Sequence, residues 1–395
     1  MMRKVLFSVF LILVSAANAQ NIKTIHLEEG DSLGAFLDED RYEIDSLIIT
    51  GKLDKWELRD VRDIIKNGRL RGLNLEGADC EELGTHVMIG VENLWWITWP
   101  KNIKLIEYYS FYGAGLKALL LPPSQIVTGM ISQAAFCLNP LKEIVIPEGY
   151  EAIGYEWFVG CEELVKAVLP SSLRTIGGGT FAVCTKLAEV NFPEGLEEIG
   201  FDAFYYNNNL KEVDLSKCHN LKTIEETAFG YCRSLQSVKL PEGLELIERE
   251  AFAYSALQEI TIPSTVDSIT FNAFSGCYDL KTYRCMGQTP PRMRDLDIHD
   301  HNLGTIYNPY TVLYVPKGCV EAYRAAPYWR QFMHILEMNE DMGVQPVMTT
   351  DKQTDGYTYD LQGHRMAEGH PLLPGIYVRN GRKVIVRKQD GGRRN

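Results

Sequence analysis

The 395 residues contain no HExxH, no GxSxG, no phosphate-binding glycine loop and no CxxC pair. Those absences remove the commonest signatures of zinc proteases, serine hydrolases, nucleotide enzymes and dithiol redox proteins. Basic charge is also short. Forty Lys and Arg against 52 Asp and Glu leave a net charge of −12, which disfavours nucleic-acid binding, since that affinity rests on cations neutralising phosphates. Beyond the N-terminus no run is apolar enough to cross a bilayer as a helix. With 45% hydrophobic and 23% charged residues, the chain is neither disordered nor a membrane bundle. No catalytic residue, cofactor site or metal site is assigned. The densest cluster of metal-ligand types is His299-Asp300-His301, which is read as a solvated loop rather than a site.

Some features are present and informative. Arg3 and Lys4 precede an apolar stretch from Val5 to Val14, and Ala17-Asn18-Ala19 follows. Charge, short apolar core and small-residue pattern together predict a signal peptide over 1–19, with Gln20 as the mature start. No cysteine follows that point directly, so a lipid anchor there is not expected. The outer surface, the extracellular space and the periplasm all remain open as destinations. Nine cysteines, an odd number, leave at least one unpaired or paired between molecules.

The dominant feature is a repeat. A leucine recurs at Leu116, Leu141, Leu164, Leu187, Leu210, Leu235, Leu257 and Leu280, spaced 22 to 25 residues apart. A phenylalanine keeps step at Phe111, Phe136, Phe158, Phe181, Phe204, Phe229, Phe252 and Phe274, each with an isoleucine five residues before it. Proline lies six residues after most of the leading leucines, and Ser216 replaces it in one longer copy. Three apolar series in one register are the mark of a repeat array, in which single units bury no core alone and stacking joins them. In LKEIVIP, beginning at Leu141, offsets 0, 3 and 5 are apolar. Offsets 3 and 5 share one face of a short strand, and the proline ends it. The expected fold is a β-rich solenoid with a parallel sheet of short strands on one face. No unit has room for a long helix, so the other face is expected to be strand-like or irregular.

The pattern L-x-x-[IV]-x-[IL]-P followed by I-x-x-x-A-F-x-x-C resembles the BspA-type leucine-rich repeat of bacterial surface proteins. The resemblance covers about Trp99 to Cys285. The asparagine usual in other leucine-rich repeats is missing, as it is in this subfamily. The resemblance implies an exported surface protein that works as a protein-interaction or adhesion scaffold, with a host matrix or cell-envelope protein as ligand. A glycan-binding accessory, a structural envelope protein, and an enzyme with activity in the cap loops are the alternatives.

The expected organisation is an α/β N-terminal cap over 20–94, repeats over 95–285, a C-terminal cap over 286–338, a linker over 339–356 and a β-module over 357–395. In the first cap, Ser46 to Thr50 reads as a strand, and Leu58, Val61, Ile64 and Ile65 fall at helical spacing. Residues 70–80 start a repeat-like strand. Trp95, Trp96 and Trp99 are expected to pack over the first rung, or else to form an aromatic platform for sugar. In the second cap, Val312 to Pro316 reads as a last strand and Val320 to Ile335 as a helix carrying Tyr323, Trp329 and Phe332. The final module, with alternating strands around Asn380-Gly381, resembles the tail that acts as a type IX secretion signal in Bacteroidetes-type relatives. The extra QDGGRRN at the end departs from that pattern, so a plain structural sheet stands beside the sorting reading.

Cys161, Cys184, Cys232 and Cys277 lie three residues after a repeat Phe and form a column. Only Cys161 and Cys184 occupy adjacent rungs, where a spacing of about 4.8 Å falls inside the range a disulfide spans. Buried free thiols are the expected state. Strand offsets 2 and 4 must face away from the core. They nominate a binding surface of Leu120, Val145, Val168, Glu189, Asn191, Glu212, Asp214, Lys239 and Glu259. Glu189 and Glu212 are expected to be like-charged neighbours on this face, which then offers an acidic patch to a basic partner.

Overall fold

Because apolar side chains recur once per 22 to 25 residues, each turn of chain meets its copy in the next turn, and the strands are short. A computed structural model describes residues 21–124, 131–270, 272–294 and 310–338, and the backbone of Thr358–Tyr359, Gly375–Arg379 and Arg382–Val386. The fold is a parallel β-solenoid of about 12 turns with little helix. The signal-peptide segment, the His299-Asp300-His301 cluster, the linker and most of the final module lie outside the described residues.

Contacts divide the chain into two units. The first comprises Met1–Gln258, Thr265–Asp279 and Pro291–Tyr307. Its leading strands pair in parallel: Glu143–Val145, Lys166–Val168 and Glu189–Val190 in one group, Glu212–Asp214 and Ser237–Lys239 in another. The second half of each turn, read as strand-like or irregular, forms a parallel sheet of its own. Ala152–Ile153, Thr175–Ile176 and Glu198–Ile199 pair in order. So do Thr223–Ile224, Leu246–Ile247, Ser268–Thr270 and Arg292–Arg294. Five of these short strands end in the repeat isoleucine, and Ser268–Thr270 and Arg292–Arg294 run one residue past it or its counterpart Met293. The leading leucines and the repeat phenylalanines in this unit are buried between the two sheets.

The stretch expected to cap the array shares its rung spacing. Ile22–Leu27, Ser46–Lys52, Gly72–Asp79 and Trp96–Thr98 form one parallel sheet, with Ile22 opposite Ser46, Ser46 opposite Gly72 and Gly72 opposite Trp96. The helical pattern at 58–65 becomes a 3-10 turn, Glu57–Val61, running into an α-helix, Arg62–Asn67. All four of its apolar residues are buried.

The phenylalanines stack as a column. Phe111, Phe136, Phe158, Phe181, Phe204, Phe229, Phe252 and Phe274 have successive ring centroids 5.2 to 6.1 Å apart and interplanar angles of 2° to 20°. Three residues after the ring, a second column closes the backbone. Cys161, Cys184, Cys232 and Cys277 each donate from Sγ to the carbonyl of the Phe one rung back. Asparagine takes the same place at Asn139 and Asn207, whose Nδ2 donates to Phe111 and Phe181. Thiol, amide and, at Ser255, hydroxyl share this column because each fits a small buried gap and can donate.

The second unit comprises Glu259–Ser264, Leu280–Pro290 and Asn308–Asn395. Its parallel sheet runs Glu259–Ile262, Thr282–Cys285, Val312–Val315, His334–Glu337. This corrects the expected helix over Val320 to Ile335. The α-helix covers only Val320–Ala325, a 3-10 turn covers Trp329–Gln331, and His334–Glu337 extends the sheet. Pro327 is the physical reason. A residue before proline is driven from helical to extended backbone, and Ala326 has ψ 130°. Trp329 and Tyr323 still pack together, ring centroids 5.6 Å apart. Farther on, Gly375–Arg379 and Arg382–Val386 pair antiparallel, Arg379 opposite Arg382.

Candidate interaction surface

The nominated residues do point outward. Leu120 is 50% exposed, and Glu189, Asn191, Glu212, Asp214, Lys239 and Glu259 are exposed, while Val145 and Val168 are half-buried and face each other across two rungs. The charge pattern is different from the expected acidic ladder. Glu189 sits opposite Lys166 and pairs with it at 3.4 Å; Asp214 sits opposite Lys239 and pairs at 2.8 Å. Glu212 lies opposite Ser237. The Glu189–Val190 and Glu212–Asp214 strands belong to separate hydrogen-bonded ladders. In the second unit, Glu259 pairs with Arg284 at 2.9 Å. The register places a cation directly opposite Glu189 and Asp214, whereas Arg284 reaches Glu259 diagonally, Thr282 lying opposite it.

Asn191 has a structural task as well. Its Oδ1 accepts from the Leu169 amide and its Nδ2 donates to the Leu169 carbonyl, both at 2.8 Å. The side chain substitutes for a ladder residue where the strand stops. Asp214 is held well below the usual carboxylate range, at about 2, by its hydrogen bond to Lys239, then by Ser216.

The three tryptophans separate. Trp99 is buried edge-on to Phe111 and Phe136, its Nε1 donating to the Leu120 carbonyl. Trp96 is half-buried and lies over Gly72, where a Cβ would meet its ring at 2.1 Å. Trp95 is 40% exposed, but Lys117 Nζ sits 3.5 Å from its ring centroid. A three-ring sugar platform is not assembled.

All nine cysteines are free, and eight are buried. Burial raises the thiols of Cys137, Cys161 and Cys232 to about 12 and that of Cys184 well above the ordinary value. Cys161 and Cys184 instead use their sulfurs on main-chain carbonyls.

One surface was not anticipated. Each turn carries left-handed residues two before and two after the repeat Phe. Among the described residues thirteen other than glycine have φ between 52° and 63°, including Asp202, Tyr206, Thr227, Tyr231, Glu250 and Tyr254. This alternation aims amides at the next rung. Tyr206 N donates to the Gly230 carbonyl, Tyr231 N to Ala253 and Tyr254 N to Ser275, at 2.7 to 2.9 Å. It also throws the side chains outward, where Tyr205, Tyr206, Tyr231 and Tyr254 gather. The signal was in the sequence as F-Y-Y, F-G-Y and F-A-Y at successive repeats, but it reads as noise until the turn geometry is known.

Among the described residues a shallow polar recess of about 500 Å³ lies on the second sheet, lined by Thr223, Glu245, Asp267, Arg292 and Arg294 among others. Its charges are largely spent internally, Asp267 on Arg292 and Glu245 on Lys222. No group of His, Cys, Asp or Glu among the described residues is placed to hold a metal ion, and no described helix is long and apolar enough to cross a membrane.

The two-sheet turn, the Phe column and the strand register define a leucine-rich-repeat solenoid. The chain belongs to the BspA type leucine rich repeat region family, matched in six copies over residues 67–170 and 151–281. No curated relative matches the sequence. Among solved structures it is similar to a leucine-rich repeat protein from Bacteroides ovatus, with 24% identity, 69% of this chain and 84% of that chain covered, and a TM-score of 0.30. It is similar to one from Eubacterium ventriosum, with 17% identity, coverage of 71% and 74%, and a TM-score of 0.41. A leucine rich cell surface protein from Faecalibacterium prausnitzii shares 18% identity, with coverage of 68% and 91% and a TM-score of 0.28.

Proposed function

We propose that this chain is an exported, non-enzymatic scaffold that binds a protein partner outside the cytoplasm, either a host matrix protein or a cell-envelope protein. Membership of the BspA-type family supports an interaction role, and the signal-peptide pattern at 1–19 supports export. The observation that carries the reading is the repetition of outward positions. Each rung offers the same backbone sites, so a broad surface varies in chemistry without changing shape, which suits recognition of an extended partner. Adhesion at the cell surface is the biological form of this activity that the family resemblance favours. The antiparallel pair Gly375–Arg379 and Arg382–Val386 favours a compact terminal module, for which we propose a sorting role.

The test uses the mature chain, immobilised and exposed to solubilised cell-envelope and matrix fractions. One saturable, repeatedly recovered protein is the expected result. Failure to capture any protein from either fraction would refute the scaffold reading. Fractionation of the native host culture, with N-terminal sequencing, is expected to return a chain starting at Gln20 outside the cytoplasm. Deletion of 357–395 is expected to stop delivery while leaving the solenoid folded.

A further inference from the structure

Several exposed aromatic rings of this chain have their faces taken. Lys117 sits on Trp95, Arg59 on Trp56, and Tyr231 lies between Tyr206 and Tyr254. Tyr155 and Phe201 differ. They are 53% and 49% exposed, with ring centroids 6.1 Å apart at an interplanar angle of 37°. Among the described residues no cation and no third ring lies against either.

The backbone register explains how they meet. Tyr108, Gln133, Tyr155, Gly178 and Phe201 form one column, three residues before the repeat Phe, each carbonyl accepting an amide from the rung before at 2.8 to 3.4 Å. Two rungs separate the backbones of Tyr155 and Phe201 by about 10 Å, so the rings meet only because Phe201 leans back over Gly178. A Cβ at Gly178 would strike the Phe201 ring at 2.7 Å. The backbone does not ask for glycine there, since Gly178 is not left-handed, and the other four residues of the column carry side chains. The glycine seats the ring. The result is an aromatic pavement open to solvent, and Tyr108 adds a third exposed ring, at 48%, two rungs earlier.

The surroundings select the ligand. The column from Tyr108 to Phe201 carries no charge. The carboxylates next to it in sequence are engaged, Glu107 with Thr85 and Lys55, Glu156 with Gln133 and Asp202 with Thr227. A charged partner is therefore not called for. An apolar group in a pocket gains by being enclosed, and a stable protein interface needs about 800 Å² per partner. Two rings lying on a turn edge give neither. A neutral sugar ring needs less. Its C–H face lies on the negative face of an aromatic ring, while its hydroxyls stay in water or bond to side chains beside the ring.

We propose that Tyr155 and Phe201, with Tyr108 along the same column, form a binding site for a neutral glycan chain of flat pyranose rings. The site is separate from the protein-binding reading above and goes beyond it.

The test is isothermal titration calorimetry of the full mature chain with three neutral probes, the β-linked hexasaccharides of glucose, mannose and N-acetylglucosamine, and with decaproline as the comparison. Saturable binding of at least one hexasaccharide is expected. Tyr155→Ala with Phe201→Ala is expected to weaken it about tenfold. Tyr155→Phe with Phe201→Tyr keeps both rings and is expected to bind within about twofold of the wild type. Leu120→Ala, exposed on the leading-strand face, is a control expected to change nothing. Circular dichroism separates lost binding from lost folding, and Phe201→Ala alone serves if the double variant unfolds. No binding of any hexasaccharide overturns the proposal, as does equal binding by the Ala pair and the pair that keeps the rings. Decaproline binding that the Ala pair abolishes, with no hexasaccharide bound, would assign the pavement to a proline-rich protein segment and overturn the glycan site.

Discussion

Phe204→Ala offers a measure of what holds the solenoid together. The Phe204 ring is fully buried, with Phe181 5.5 Å and Phe229 5.2 Å away by centroid and Phe192 edge-on at 5.5 Å. Truncation loses the transfer energy of the ring and leaves a cavity that its backbone-laddered neighbours cannot close, about 3–5 kcal/mol by precedent for buried Phe. Loss of two stacked contacts falls within that range. Because each rung touches only its neighbours, the cost lands on the coupling between the turns before and after residue 204, and unfolding is expected to become broader or biphasic. Phe201→Ala is the internal control. It lies three residues away, is 49% exposed and touches mainly Tyr155 and Gly178, so a loss under about 1 kcal/mol is expected. Urea denaturation followed by circular dichroism reads both. Equal losses for Phe204→Ala and Phe201→Ala, or a Phe204→Ala loss below about 1 kcal/mol, would refute the column as the element that couples the rungs.

Other outcomes follow from named contacts. Asn139 accepts from Gly115 and Leu116 amides and donates to Phe111, Phe136 and Cys137 carbonyls at 2.8 to 3.1 Å; Asn139→Ala strands all of them and is expected to cost on the order of 3 kcal/mol in the same denaturation assay. Alkylation of the native protein at pH 8 is expected to spare Cys161, Cys184 and Cys232, whose thiols burial keeps protonated, and to reach them in denaturant; intact mass showing a Cys161–Cys184 disulfide would contradict this. Asp214 has a depressed pKa of about 2, so its pairing with Lys239 stabilises the fold fully above the ordinary carboxylate pKa and is lost as pH falls from there through about 2. The pair is more than half exposed, so solvent screening limits Asp214→Asn to about 0.5 kcal/mol at neutral pH, with the difference vanishing near pH 2 in a pH-resolved thermal melt.

Much of this molecule was legible because its core is written once per turn. The Leu, Ile and Phe series mark inward positions that the structure buries, and offsets 2 and 4 of the strand face solvent as the period of two requires. The failures have specific causes. The helix expected to Ile335 stopped because Pro327 constrains Ala326, a local rule outweighed in the reading by the helical spacing of Tyr323, Trp329 and Phe332. The Glu189–Glu212 ladder was inferred from column position alone, whereas register placed Lys166 opposite Glu189 and Ser237 opposite Glu212. The early turns from Ile22 to Trp96 keep the spacing but lose the Phe signature, so beyond the repeat-like strand at 70–80 it is strand pairing that reveals them. The gathering of Tyr205, Tyr206, Tyr231 and Tyr254 needed the left-handed turn, which no periodicity of apolar residues encodes.

The most direct test of the central account is hydrogen–deuterium exchange on the mature chain with and without the protein it captures. Added protection is expected along one outward face of consecutive repeat rungs, while the buried strand ladders stay unchanged. Protection confined to residues outside the repeats, or no protection anywhere, would contradict the account.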